Sequence, residues 1–377
     1  MAEKFKKYLL VLSCFGYLFL RGRASKRQGP RRIVVMQMAK LGDMICTTPV
    51  FRAIKKQFPG SFLAVVGNST NKDVLDGNTD IDEYVVFEGI TRVRRALSER
   101  KFDTAVITGP DLVSASVAYL GGVSCIVVPR VAGGYSPFES LPYRFLRFIT
   151  GMTVVDHRIG QYAPREYLRM LEPLGIFSDD TTKKLVYSRK DEEDARIFLD
   201  SNLIKKGGII IGISPSAGNK IKNWGGKKFA DLATRLWKEY SANIIITGGA
   251  RDREEVREML SFTPPDVPLI NTSEKFSING FKALISKMNL FISVDTGPIY
   301  IAEAFGVPTI DIVGPMDERE QPPVGPKNLV VVPPGPRIPQ LHIMNARIYD
   351  KKEAKRQTES ITVSMVMDAC NSLLTHK

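Results

Sequence analysis

The sequence predicts a doubly wound α/β fold in two domains, and three observations predict it. Short apolar runs, such as 33–38 (IVVMQM), 62–67 and 290–294, alternate with helical stretches, the spacing that parallel strands with right-handed crossovers require. The 377 residues are enough for two separate cores. The stretch 288–315 reads as a strand, a break at Asp295-Thr296-Gly297-Pro298, a short helix over 299–305, and a second strand over 309–313 closed by Gly314-Pro315. In such units ligands bind at the carboxyl ends of the strands.

Charge and composition narrow the partners. The chain is 44% hydrophobic and 25% charged, so it builds cores rather than staying disordered. Its net charge of +13 points to an anionic partner, such as a membrane surface, a nucleotide or nucleic acid. The four cysteines (Cys14, Cys46, Cys125, Cys370) form no CxxC pair, which argues against a disulfide framework or zinc site and fits a reducing compartment. With only His157, His342 and His376 in the chain, a histidine-rich metal site or triad is disfavoured.

Residues 1–30 are expected to stand apart from the fold as a membrane-associating segment. Residues 8–20 are apolar except for Ser13, Cys14 and Gly16. Lys4, Lys6 and Lys7 precede them, and Arg21, Arg23, Lys26, Arg27, Arg31 and Arg32 follow. The run is short for a bilayer span, which takes roughly 20 apolar residues, and no small-x-small cleavage site closes it. An interfacial helix on the inner leaflet, its basic flanks on anionic lipid, is the expectation, with a buried extra helix or a mistaken start codon as the alternatives. Nucleic acid is disfavoured, because the charge gathers at one end without a recognition-helix pattern.

The first domain is expected over 31–185. After the strand at 33–38 comes the tight loop Ala39-Lys40-Leu41-Gly42-Asp43, and then Cys46, Val50, Ile54 and Phe58 recur every fourth residue, one stripe of an amphipathic helix. Pro49 should start or kink that helix, with Thr48 as a cap. Asp43 stands at the end of the first strand, where it reads as an N-cap or as a general base. No G-x-G-x-x-G occupies the turn, so an NAD-type site is disfavoured. Residues 129–160 break the pattern: Gly133-Gly134, Pro137 and Pro142 mark a loop. Its aromatics (Tyr135, Phe138, Tyr143, Phe145, Phe148) either cover an acceptor site or form a surface loop followed by a core helix.

The second domain is expected over 186–340, with a tail over 341–377. The loop after the strand at 208–214 carries Ser216 and Gly218, small residues for close backbone approach, and then Lys222-Asn223-Trp224. The strand at 243–247 ends in Gly248-Gly249, with Asp252 and Glu254 opening the next helix. Thr296 and Gly297 present backbone N–H groups at a helix start, where a phosphate is favoured, and Pro298 suits the first turn. Residues 361–374 form an amphipathic helix that either caps a sheet or packs back across the first domain.

Taken together, L-G-D at 41–43 with Pro49, the K-x-W of Lys222 and Trp224, Thr247-Gly248-Gly249, and Asp295-Thr296-Gly297-Pro298 through Gly314-Pro315 resemble the signatures of the family 9 glycosyltransferases, the heptosyltransferase family. They occur in the right order over about 31–320. The resemblance implies a GT-B fold: two Rossmann-like domains facing across a cleft, with a C-terminal crossover helix. It implies inverting transfer, without metal or other cofactor, from a nucleotide sugar, typically ADP-heptose, to a lipopolysaccharide core or other lipid-linked glycan on the cytoplasmic face of the inner membrane. By the same resemblance Asp43 is the general base, Lys222 contacts the donor phosphates and Asp295 binds the donor sugar. Thr296 and Gly297 face the diphosphate, and either Asp252 or Glu254 binds the ribose. Two departures lie at the donor: Tyr300 stands where the family has histidine, and the turn before K-x-W reads Ser214-Pro215-Ser216-Ala217-Gly218. The alternatives are a GT-B nucleotide-sugar epimerase and a non-catalytic nucleotide-sugar-binding protein.

Overall fold

The computed structural model describes residues 2–20, 30–202 and 208–374, and these divide into two compact units. The first contains the chain up to Lys183 together with Ile343–Asn345; the second contains Lys184–His342 and the chain from Ala346 onward.

In the first unit six strands form one parallel sheet: β1 (Arg32–Gln37), β2 (Phe62–Gly67), β3 (Glu83–Val86), β4 (Thr104–Ile107), β5 (Cys125–Ala132) and β6 (Thr153–Arg158). Helix α1 (Ala2–Leu20) precedes them, and α2 (Leu41–Gln57), α3 (Ser69–Val74), α4 (Ile90–Glu99), α5 (Leu112–Leu120), α6 (Leu141–Thr150) and α7 (Ala163–Arg169) follow the strands in turn. The strand order is β3-β2-β1-β4-β5-β6. The order reverses between β1 and β4, so the loops leaving these two strands diverge and open a crevice at their carboxyl ends.

The second unit repeats the plan. Its sheet holds β7 (Ile210–Ser214), β8 (Asn243–Ile246), β9 (Leu269–Asn271), β10 (Leu290–Val294), β11 (Thr309–Ile312) and β12 (Asn328–Val331), all parallel, in the order β12-β11-β10-β7-β8-β9. Around it lie α8 (Arg189–Ser201), α9 (Gly226–Tyr240), α10 (Arg253–Phe262), α11 (Ile278–Ile285), α12 (Gly297–Ala304), α13 (Lys351–Ser360) and α14 (Val363–Leu374). Here the reversal falls between β7 and β10. Of the two placements open for the C-terminal helix, the structure takes the sheet-capping one: Val366, Met367, Cys370 and Leu374 of α14 join the core of this second unit.

Four expectations change. The segment 1–30 is not an appendage, because Leu10, Val11 and Cys14 of α1 are buried in the core of the first unit, against α5 and α6. Helix α5 permits this: Ser114, Ala115, Ser116 and Ala118 are small and buried, so α1 approaches closely, and the Cys14 thiol lies 3.9 Å from the Ser116 carbonyl. Burial pushes that thiol up to about 11, so it stays protonated. Arg32, expected among the membrane-facing cations, stacks instead on Phe62 at 4.3 Å and donates to the Arg100 carbonyl. Arg21, Arg23, Lys26 and Arg27 lie outside the described residues, as does His376.

The third change is at 129–160: of the two readings the surface loop followed by a core helix holds, α6 being that helix, but the segment also contains the end of β5 and the edge strand β6. Inside it Tyr143, Leu146 and Arg147 are buried, and Arg147 pairs with Glu139 at 2.7 Å while stacking on Tyr143. The fourth is Pro49, which does not start α2 but lies inside it, so the N-cap is Lys40 and not Thr48. Proline has no N–H for the Ile45 carbonyl four residues back, and the Thr48 hydroxyl donates to that carbonyl instead, at 2.7 Å.

Deleting residues 1–20 therefore exposes the outer face of α5 and removes the burial of Leu10 and Val11, worth about 1.5–3 kcal/mol for each large side chain. The expected outcome is a melting temperature several degrees below wild type. An unchanged melting curve would show that α1 is not anchored to the unit.

Candidate functional site

In the second unit the crevice between β7 and β10 is built by the two loops that leave those strands. The loop after β7 is pinned by Trp224, which is buried, packs edge-to-face on Phe229 at 5.0 Å, and donates its indole N–H to the Ile361 carbonyl at 2.8 Å. Asn223 ties the loop on both sides, accepting from Ala217 N–H and donating to Glu255, each at 2.9 Å. With Trp224 turned into the core, Lys222 two residues earlier reaches Asp295 at the end of β10. Its Nζ lies 3.0 Å from Asp295 Oδ2 and also donates to the Asp295 carbonyl. The K-x-W spacing thus separates an anchor from a reaching cation.

Asp295 is nearly buried, and its second oxygen is also engaged: Oδ1 lies 2.9 Å from the hydroxyl of Tyr300, which lies 2.8 Å from the Gln321 carbonyl. Tyr300, the departure from the expected histidine, is wholly buried and holds the carboxylate in place. Thr296 is the N-cap of α12, with Gly297 and Pro298 in its first turn; Pro298 has no N–H and Ile299 N–H reaches the Thr296 carbonyl at 3.2 Å, which leaves the N–H groups of Thr296 and Gly297 without a partner inside the helix. Closing the crevice from β11, Gly314 lies against α13: a Cβ there would come 2.5 Å from the Thr358 hydroxyl.

The β8 loop completes this side. A Cβ on Gly248 would stand 3.1 Å from Asp252 Cβ and 3.2 Å from Val256, which is why glycine sits there. Asp252 accepts from Gly249 N–H at 2.8 Å and from the Ser216 hydroxyl at 2.7 Å, so Ser216, Gly248, Gly249 and Asp252 form one connected group. Gly218 is exposed in the same loop, and Glu254 is exposed on α10 without joining the group. The neighbouring Glu255, which the sequence reading passed over, does join it: Lys220 lies 2.7 Å from its Oε1. Burial pushes the Glu255 carboxyl up, but the hydrogen bond and charge of Lys220 outweigh this and hold it below the usual range.

A second carboxylate was missed. Asp311 on β11 is completely buried, and neither of its oxygens has a hydrogen-bond partner among the described residues. It lines, with Asp295, Asp317 and Gln321, a small recess. Burial, reinforced by the charge of Asp295 and only partly offset by Lys222, raises its pKa well above the carboxylate range. The signal was an aspartate inside the apolar strand Thr309–Ile312. Nearby, Asp317, Glu320 and His342 each bring a ligand atom within 4.8 Å of the others. Arg319 already pairs with Asp317 at 2.6 Å and His342 faces Glu320 at 3.3 Å, so side chains of the protein itself meet both acids.

In the first unit the crevice between β1 and β4 holds Asp43. Asp43 is not the N-cap: that position is Lys40, and Asp43, the third residue of α2, reaches back with one oxygen to accept from Lys40 N–H at 3.2 Å, while the other faces the Tyr167 hydroxyl at 3.3 Å. Gln37 at the end of β1 donates to Thr108 beyond β4 at 2.8 Å and to Thr47 at 3.2 Å, bridging the two strand ends beneath it. Asn68 and Asn71 both donate to the Ala39 carbonyl at 2.9 Å, fixing the loop that presents Asp43. The candidate residues are thus distributed over both units, Asp43 in the first and the remainder in the second.

Two six-stranded parallel sheets, each with a polar crevice at its reversal, are the plan of the GT-B fold, and solved structures with that fold match nine-tenths or more of the chain. A family 9 glycosyl transferase from Veillonella parvula superposes with a TM-score of 0.74 at 21% identity, covering 94% of this chain and 100% of that one. The Escherichia coli ADP-heptose lps heptosyltransferase II superposes with a TM-score of 0.71 at 17% identity, covering 91% and 98%. In sequence, the lipopolysaccharide core heptosyltransferase OpsX of Haemophilus influenzae is 22% identical over 302 residues, 76% of this chain and 79% of that protein. The model of glycosyltransferase family 9 (heptosyltransferase) matches residues 90–346. The chain belongs to that family, and it is a glycosyltransferase rather than an epimerase or a non-catalytic binding protein.

Because the Asp311 carboxyl titrates higher folded than unfolded, the folded state binds the extra proton, and stability falls as pH rises through and above the carboxylate range. Asp311→Asn removes that ionisation. Its melting temperature should exceed wild type at about pH 8, with the gap narrowing towards about pH 4; a lower melting temperature at pH 8 would contradict the buried, uncharged state.

Proposed function

We propose that this glycosyltransferase moves a heptose-like sugar, by inverting and metal-independent transfer, from an ADP-linked donor to a lipopolysaccharide core or other lipid-linked glycan at the cytoplasmic face of the membrane. The observation that carries the reading is the Lys222–Asp295 pair, placed at the start of α12 where the second sheet reverses. The names of the relatives, which speak of ADP-heptose and of lipopolysaccharide core, support the donor and acceptor classes.

In this reading Asp43 takes the proton of the acceptor hydroxyl as its oxygen attacks the anomeric carbon, on the face opposite the leaving diphosphate. The bond from that carbon to the diphosphate breaks, and negative charge collects on the departing phosphate oxygens. Lys222 and the N–H groups of Thr296 and Gly297 receive that charge, the task a metal ion performs in other enzymes. Asp295, held by Tyr300 and Lys222, accepts from donor sugar hydroxyls. The Ser216–Asp252 pair beside Gly248 and Gly249 offers a ribose contact, which favours Asp252 over the exposed Glu254. Of residues 1–32, helix α1 and the basic residues that follow it, Arg32 excepted, hold the enzyme on an anionic membrane surface. Among the described residues no helix is long and apolar enough to cross a membrane, which suits a peripheral attachment.

Asp43→Asn tests the chemistry. With ADP-heptose and a lipopolysaccharide-core acceptor, turnover should fall about 100-fold or more while the donor dissociation constant stays within about twofold. Wild-type turnover should survive chelation of divalent metals. Retention of near-normal turnover by the Asn variant would remove Asp43 from the mechanism, and loss of turnover with chelator would remove metal independence.

A further inference from the structure

Helix α1 has two apolar faces, and the protein covers only one. Leu10, Val11 and Cys14 point into the core of the first unit, whereas Tyr8, Leu9, Leu12, Phe15 and Phe19 are exposed, Phe19 at 75%. Helix α6, which packs beside α1, repeats the arrangement. Tyr143, Leu146 and Arg147 turn inward, and Leu141, Phe145 and Phe148 face outward at 75%, 49% and 84% exposure. Leu141, Phe145 and Phe148 are spaced four and three residues apart, one row on a helix. Solvent-exposed rows of this size on two adjacent helices are unusual in a soluble domain and mark an interaction surface.

The charges around the rows identify the partner. Lys6 is exposed on α1 and Arg144 on α6. Glu139, just before α6, is already paired with the inward Arg147. Along residues 1–32 Glu3 is the one acid against nine lysines and arginines. Aromatic and leucine side chains with exposed cations on the same two helices, Lys6 and Arg144, suit the boundary between acyl chains and anionic headgroups. The anchoring of α1 through Leu10, Val11 and Cys14 keeps the helix along such a surface rather than through it.

We propose that the outer rows of α1 and α6 form one surface that seats in the interfacial layer of an anionic bilayer, with Leu141, Phe145 and Phe148 entering beside Leu12, Phe15 and Phe19. This extends the membrane reading of residues 1–32, on which it rests, by a second element more than a hundred residues later in the chain.

The test uses the full-length protein and vesicles of phosphatidylcholine with about 30% phosphatidylglycerol, compared with pure phosphatidylcholine. Phe148→Trp should show a blue-shifted emission on adding the anionic vesicles, above the background of Trp224 and Trp237, and the double variant Phe145→Ser/Phe148→Ser should bind them about tenfold more weakly or worse. An unshifted Phe148→Trp emission with full vesicle binding would overturn the proposal and leave α1 alone on the lipid. A protein dimer in light scattering that the double serine variant dissolves would also overturn it, assigning the face to a second copy. Thermal stabilisation by ADP, measured on the same variants, reports the donor site separately, so failure of the surface and failure of the transferase reading are distinguishable.

Discussion

Lys222 and Asp295 meet where the strand order of the second sheet turns back on itself, and much of the unit serves to place them. A parallel sheet sends every strand the same way, so all its outgoing loops leave one edge, and a reversal in strand order parts two of them. The parted loops here are those that carry Lys222 and Asp295. A pair so nearly buried needs its remaining valences satisfied. Tyr300 meets one oxygen of Asp295, while Trp224, Asn223 and Asn219 hold the loop that delivers the lysine. Asp311, on the next strand, is buried with no hydrogen-bond partner among the described residues. Kept uncharged, it leaves Asp295 as the carboxylate that faces Lys222.

The same topology explains why the site was legible. Buried parallel strands are continuous apolar runs, and turns at their ends announce themselves through glycine, proline and aspartate, so β1, β2, β7, β8, β10 and β11 and the residues after them could be read directly. Asp43, Lys222, Asp252 and Asp295 all stand in such turns. Trp224 and Gly314, read only as motif letters, have plain physical duties: one anchors a loop in the core, the other lets α13 approach.

What escaped was whatever lacked that pattern. Strand β6 (TVVDHR) is an edge strand with mixed polarity, β12 is four residues long, and α8 and α13 are so charged that their helical stripe is faint. Tyr167 and Glu255 sit inside helices, where nothing in the spacing marks a residue that turns towards a crevice. Helix α1 was misplaced for a different reason. Its apolar residues surround the helix, and composition alone cannot say that one side of them meets α5 and α6 while the other meets solvent. That division emerges only from the small side chains of α5, a hundred residues away.

The central claim is that the Lys222–Asp295 crevice receives the diphosphate of an ADP-linked sugar, and ligand-induced thermal stabilisation tests it most directly. ADP and ADP-heptose should raise the melting temperature of the wild type more than UDP, GDP or CDP, and Lys222→Met should abolish the rise while leaving the unliganded protein folded. An equal response to all four nucleotides, or a rise that survives in Lys222→Met, would contradict the account.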